Sequence, residues 1–84
     1  MIEQPASRLS AETVRWWRLI QSVDATVVLL VERPGRARAI VRTSLDRQAE
    51  EVGRYAADAL SRCAATLGYQ VDGDRLIYRA SQAY

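Results

Sequence analysis

Between Ser44 and Gly68 apolar residues recur as Leu45, Ala49, Val52, Ala56, Leu60, Cys63 and Leu67. These four- and three-residue steps lay one narrow stripe along a helix. A helix over 44–68 would be the longest element in a chain of 84 residues, and everything else must be arranged around it. Thr43 and Asp46 have capping-box spacing at its start, and Gly68 is placed to end it as a left-handed residue just past the last turn. Glu50, Arg54, Asp58 and Arg62 follow one another at i,i+4, with Arg47 and Glu51 as a further pair, so the outward side reads as a solvated charge ladder. Gly53, Ala57 and Ala64 lie beside the stripe and leave room for another backbone, either that of a first helix or that of the same helix in a second chain. Cys63 falls at the centre of the stripe, where a desolvated thiol packs and does not react.

The first helix is announced by Ser10, an N-cap residue, and by Glu12 near the positive end of the helix dipole. It is expected to run to Ser22 or Val23. Trp16, Leu19, Ile20 and Val23 then share one face, which is core. Trp17 and Val14 lie round the helix from that stripe and form a second apolar spot bordered by Arg18 and Gln21. Tryptophan and arginine are enriched in interface hot spots, so Trp17 with Arg18 is a candidate contact. The competing reading folds Trp17 over the helix edge onto the core.

Ala25 to Glu32 is dominated by valine and leucine, turns at Pro34-Gly35 and resumes as Ala37 to Thr43, which predicts a hairpin. In its second strand Arg36, Arg38, Ile40 and Arg42 alternate with Ala37, Ala39, Val41 and Thr43, and the alanine side is expected to meet the helices. The first strand is apolar on both faces, which calls for cover on both. A two-residue turn sends Val27, Leu29 and Val31 to the arginine side, whereas a three-residue turn sends Val28, Leu30 and Glu32 there. A second hairpin is read around Asp72-Gly73, with Leu76 and Tyr78 on one side and Arg75, Ile77 and Arg79 on the other. Asp72 and Asp74 are explained by turn chemistry, since no third ligand follows at a metal spacing.

Composition narrows the function. A chain of this length is one domain and buries roughly 60% of the surface that its unfolded form exposes. Its hydrophobic fraction of 49% and charged fraction of 26% are those of an ordinary globular protein. Histidine is absent and there is one cysteine, which excludes internal disulfides, histidine metal sites and Ser-His or Cys-His catalysis. No metal, cofactor or enzymatic activity is expected. No signal-like segment opens the chain and no apolar run is long enough to span a bilayer, so a cytoplasmic protein without membrane association is expected. All twelve basic residues are arginine. That bias fits a GC-rich bacterial or phage genome, and arginine also suits interface and phosphate contacts better than lysine.

These readings combine into an α+β two-layer sandwich, an antiparallel sheet of three to four strands with two helices on one face, in the order α-β-β-α-β-β. Residues 1–9 are an N-terminal arm, 10–79 the domain and 80–84 a tail. The uncovered sheet face is expected to carry Arg36, Arg38, Ile40, Arg42, Arg75, Ile77 and Arg79. An apolar centre with an arginine rim has the anatomy of a protein interface. The expected function is a small non-enzymatic binding module, an accessory or inhibitor protein that occupies a partner surface and forms a homodimer. The alternative is nucleic-acid binding through the arginines, for which stacking aromatics are missing from the face.

Overall fold

A computed structural model describes residues 9–79. The elements run α1 (Ala11–Ser22), β1 (Ala25–Arg33), β2 (Arg36–Thr43), β3 (Gln48–Gly53), α2 (Ala56–Thr66), β4 (Tyr69–Asp72) and β5 (Arg75–Tyr78). The fold is α+β, with a three-stranded antiparallel sheet β1-β2-β3, a separate two-stranded sheet β4-β5 and two helices. Of the expected terminal segments, residues 1–8 of the arm and all of the tail 80–84 lie outside the described residues.

The single helix expected over 44–68 is instead a turn, a strand and a shorter helix. Thr43 Oγ1 accepts hydrogen bonds from the amides of Leu45 and Arg47, at 3.3 and 3.2 Å, and Asp46 takes a positive φ of 65°. Thr43 thus organises a turn rather than a helix cap. The next six residues alternate. Ala49, Glu51 and Gly53 face α2, and Gln48, Glu50 and Val52 face away. The three-residue step from Ala49 to Val52 matches a helical stripe by coincidence. The expected ladder dissolves with it: Glu50 pairs with Arg38 across the sheet, Arg47 donates to the Tyr78 hydroxyl, and only Asp58–Arg62 remains a helical i,i+4 pair. The order is therefore α-β-β-β-α-β-β.

Helix α1 begins where expected, its Ser10 Oγ accepting from the Thr13 amide at 3.1 Å. Leu19 and Ile20 are buried, and Trp16 and Val23 pack against the same cluster. Helix α2 is rich in alanine, the strongest helix former, and presents Ala56, Ala59, Leu60, Cys63 and Ala64 to the sheet side. There it meets Ala37, Ala39 and Val41 of β2 and Ala49 of β3. Small residues on both sides bring the helix axis close to the sheet. Gly53 shows how close: a Cβ there would sit 2.5 Å from Asp58 Oδ2 and 2.8 Å from the Ala59 nitrogen.

The register of the first hairpin follows from a two-residue turn, Pro34-Gly35, with Arg33 opposite Arg36. Gly35 has φ 77°, the left-handed second position that a proline-led type II turn requires. Towards the other end of β1 the register shifts between Val27 and Leu29. Residues an odd number apart normally take opposite faces, yet Val27 and Leu30 both pack against the core. Val28 is the extra residue of a bulge. Leu29 and Val31 therefore join the arginine side, as the two-residue turn implies, but Val27 does not.

The second hairpin does not extend the larger sheet. β4 and β5 contact α1 and α2 and none of β1–β3. Its turn residues are Gly73 and Asp74, with Asp72 still in the ladder opposite Arg75, one position later than the expected Asp72-Gly73. Arg15 Nη2 donates to the Gly73 carbonyl at 3.1 Å, which ties this turn to α1. The Tyr69 and Tyr78 rings meet at 5.4 Å, and Leu76 enters the core.

Because the atoms facing Gly53 include helix backbone, Gly53→Ala is expected to destabilise the chain by about 1–3 kcal/mol. A urea titration with an unshifted midpoint would contradict this close approach.

Candidate functional site

The face of β1-β2-β3 turned away from α2 is ordered in cross-strand rows. At the end marked by the Pro34-Gly35 turn, Arg33 stands opposite Arg36. The next row is Val31, Arg38, Val52, the next Leu29, Ile40, Glu50, and the last Thr26, Arg42, Gln48. The β2–β3 pairing ends at Ala37 with Gly53, and Arg54 follows directly, where the chain bends into α2. Val31 is 37% exposed, Val52 42% and the bulged Val28 48%. Apolar side chains thus share an open face with Arg38, which lies between Val31 and Val52, and with the arginines towards its two ends.

The arginines differ in how they are held. Arg38 Nε donates to Glu50 Oε2 at 2.6 Å, a half-exposed pair of the kind worth about 0–1 kcal/mol. Arg42 donates through Nε and Nη2 to the neutral Gln48 Oε1, at 3.3 and 3.1 Å. Among the described residues, no carboxylate lies within ion-pair distance of Arg33, Arg36 or Arg54. Arg33 and Arg54 line a shallow cleft together with Glu32, Pro34, Gly35 and the exposed Tyr55.

That cleft adjoins the start of α2, whose first amide is already occupied. Glu32 Oε2 accepts from the Ala56 amide at 3.0 Å. Asp58 Oδ2 accepts from the Arg54 amide, also at 3.0 Å. The Arg54 amide holds the Asp58 carboxyl below its ordinary 3.8, desolvation opposes this, and the Arg62 guanidinium reinforces it.

Of the nine residues expected to form a binding surface, the sheet unites Arg36, Arg38, Ile40 and Arg42. It does not unite them with Arg75, Ile77 and Arg79, of which the first two belong to β5 and the third follows it; that strand pairs only with β4. Trp17, half-buried, and the exposed Arg18 lie on α1, which packs against β1, α2 and β5, so they form no common surface with the arginine face. Val52, Glu50, Gln48, Arg33 and Arg54 were missing from the expected surface. The signal for most of them was the alternation over 48–53, with Gly53 arguing against a helix interior.

Nothing in this arrangement assembles a nucleophile with a base. The Cys63 thiol is enclosed, 3.4 Å from the Ala39 carbonyl oxygen and 3.6 Å from that of Ala49, and burial pushes it up to about 11. Among the described residues, no group of three or more acidic, cysteine or histidine side chains is clustered as a metal requires, and no helix is long and apolar enough to cross a membrane. No family model, curated protein or solved structure matches the chain.

Two measurements check this electrostatic description. Asp58 has a lowered folded-state pKa, so its contribution to stability is complete above the unfolded value and lost as pH falls through the folded one. Asp58→Asn is expected to cost about 0.3–1 kcal/mol at neutral pH through loss of the charge at the helix start, and its stability should decline less than that of the wild type below about pH 4. Parallel curves for the two proteins would contradict the assignment. Cys63 is expected to react with a thiol reagent at pH 8 only at the rate of global unfolding, and rapid labelling of the native chain would show the thiol to be accessible.

Proposed function

We propose that the chain is a non-enzymatic protein-binding module, an accessory or inhibitory protein whose contact surface is the outer face of β1-β2-β3. The observation that carries this reading is the open row structure of that face, with Leu29, Val31, Ile40 and Val52 at its centre and no described residue packed over it. A contiguous apolar patch rimmed by polar groups is the usual mark of an interaction site on a small protein, and arginine is enriched where such patches are interfaces.

The face is favoured over the sheet edges. The outer edge of β1 is interrupted by the Val28 bulge, which breaks the run of backbone donors and acceptors that an added strand needs. A partner is also favoured over a second copy. The face and its border hold Arg33, Arg36, Arg38, Arg42 and Arg54 against the single carboxylate of Glu50, so two such faces brought together would oppose like charges. Homodimerisation, suggested by the doubly apolar first strand, is on this ground the weaker arrangement. Nucleic acid is weaker too, because none of the residues in these rows is aromatic and the exposed Tyr55 beside them is a single ring where successive bases need several.

The test replaces Val31, Ile40 and Val52 together with serine. All three point away from the core, so the fold should be retained, as circular dichroism would verify. Capture of partners from a lysate of the native host is expected to fall by at least about tenfold. Undiminished capture of the same protein by the folded variant would remove this face from consideration.

A further inference from the structure

We infer that the partner presents an acidic segment, its carboxylates seated on the group of Arg33, Arg36 and Arg54 and its apolar side chains on Val31 and Val52 in the adjoining row. This rests on the protein-binding reading and names the partner's chemistry. Arginines opposite each other on neighbouring strands are a costly arrangement, since like charges directly opposite destabilise a sheet. Arg33 and Arg36 are such a pair, and Arg54 lines one cleft with Arg33. Carboxylates of this chain relieve other arginines, Glu50 at Arg38 and Asp58 at Arg62. Among the described residues none forms an ion pair with these three, although Asp58 lies near enough to Arg54 to feel its charge.

The dimensions fit a short acidic stretch. Strands spaced about 4.8 Å apart set Arg33 beside Arg36, and Arg54 shares a cleft with Arg33, a grouping that two or three carboxylates of one segment can meet. Arginine meets a carboxylate through two parallel N–H donors, so each contact would be directional as well as charged. The adjacent cleft adds Pro34 and the exposed Tyr55 as an apolar wall between Arg33 and Arg54. Its one carboxylate, Glu32, is engaged through Oε2 with the Ala56 amide. The start of α2 is not the basis of the attraction, because Glu32 already holds its first amide and the charge is carried by arginine side chains. Phosphate chains are a poorer match. Arg38, which would continue the basic line along β2, is already paired with Glu50, and a nucleic-acid track also needs successive rings for its bases.

The test uses the whole chain and four fluorescent probes: a short peptide alternating leucine with glutamate, the same peptide with glutamine for glutamate, the same with serine for leucine, and a short oligothymidylate. The leucine–glutamate peptide is expected to bind and to shift the amide resonances of Arg33, Arg36, Val52 and Arg54. The glutamine and serine versions should each bind at least about tenfold more weakly, and salt raised from about 0.05 to 0.5 M should weaken the acidic peptide's binding. Reversing these charges with Arg33→Glu, Arg36→Glu and Arg54→Glu should abolish that binding and create binding of a leucine–lysine peptide, a gain that misfolding cannot produce. Equal binding of the glutamate and glutamine peptides would overturn this inference while leaving the protein-binding reading in force. Absence of peptide binding, shifts remote from these arginines, or preference for the oligonucleotide at them would each overturn it. The protein-binding reading fails on a different result, undiminished capture by the serine variant of Val31, Ile40 and Val52.

Discussion

The seating of α2 on β2 and β3 is the contact on which the rest of the structure depends. Ala56, Ala59 and Ala64 on the helix and Ala37, Ala39 and Ala49 on the strands are all buried, and none projects far enough to hold the two backbones apart. The thiol of Cys63 therefore reaches the carbonyl oxygens of Ala39 and Ala49, and Gly53 lies too near Ala59 for any side chain. Such an interface gains little from any one alanine, because buried area sets the hydrophobic contribution. Its stability comes from packing over many small contacts and from Leu60, Ile20 and Val41, which fill the space between. The helix ends are fixed by carboxylates from the sheet. Glu32 of β1 holds the Ala56 amide, and Glu51 of β3 accepts the Thr66 hydroxyl at 2.6 Å.

The bulge at Val28 resolves a difficulty that the apolar first strand poses. A regular strand would send Val27 with Leu29 and Val31 to the open face and leave Val28 and Leu30 to the core. The extra residue lets Val27 and Leu30 both serve the core and leaves Leu29 and Val31 outside. The bulge thus moves Val27 to the core, while Leu29 and Val31 stay on the open face as in a regular strand.

How far the sequence disclosed this depends on which signals were local. Helix α1, the Pro34-Gly35 turn and the alternation of arginine with alanine in β2 are each specified by neighbouring residues, and each stands as read. The end of α2 at Gly68, with φ 98°, does as well. The failure was at 44–55, where the apolar spacing satisfied a helix and the deciding facts were tertiary. Ala49 is buried because α2 folds back over it, and Glu50 is a sheet residue that stands opposite Ile40 and reaches diagonally to Arg38. Gly53 was the one local warning. The placement of β4-β5 apart from the larger sheet had no local signal at all, since Leu76 would look the same against helices as against strands.

This topology also separates charge in a way that the overall balance conceals. The whole chain carries a formal charge of only +2, a value that by itself implies no particular partner. Yet the acidic residues of the sheet are divided unequally between its faces. Glu32 and Glu51 point towards α2 and are engaged at its two ends, which leaves Glu50 as the one carboxylate in the outer rows. The arginines of β1 and β2 lie on that outer side, because the alanines that α2 requires occupy the alternate positions. Close packing on one face thus dictates arginine or isoleucine on the other. The demand for small residues beneath the helix and the positive potential of the open face are two consequences of a single alternating strand, Arg36–Thr43.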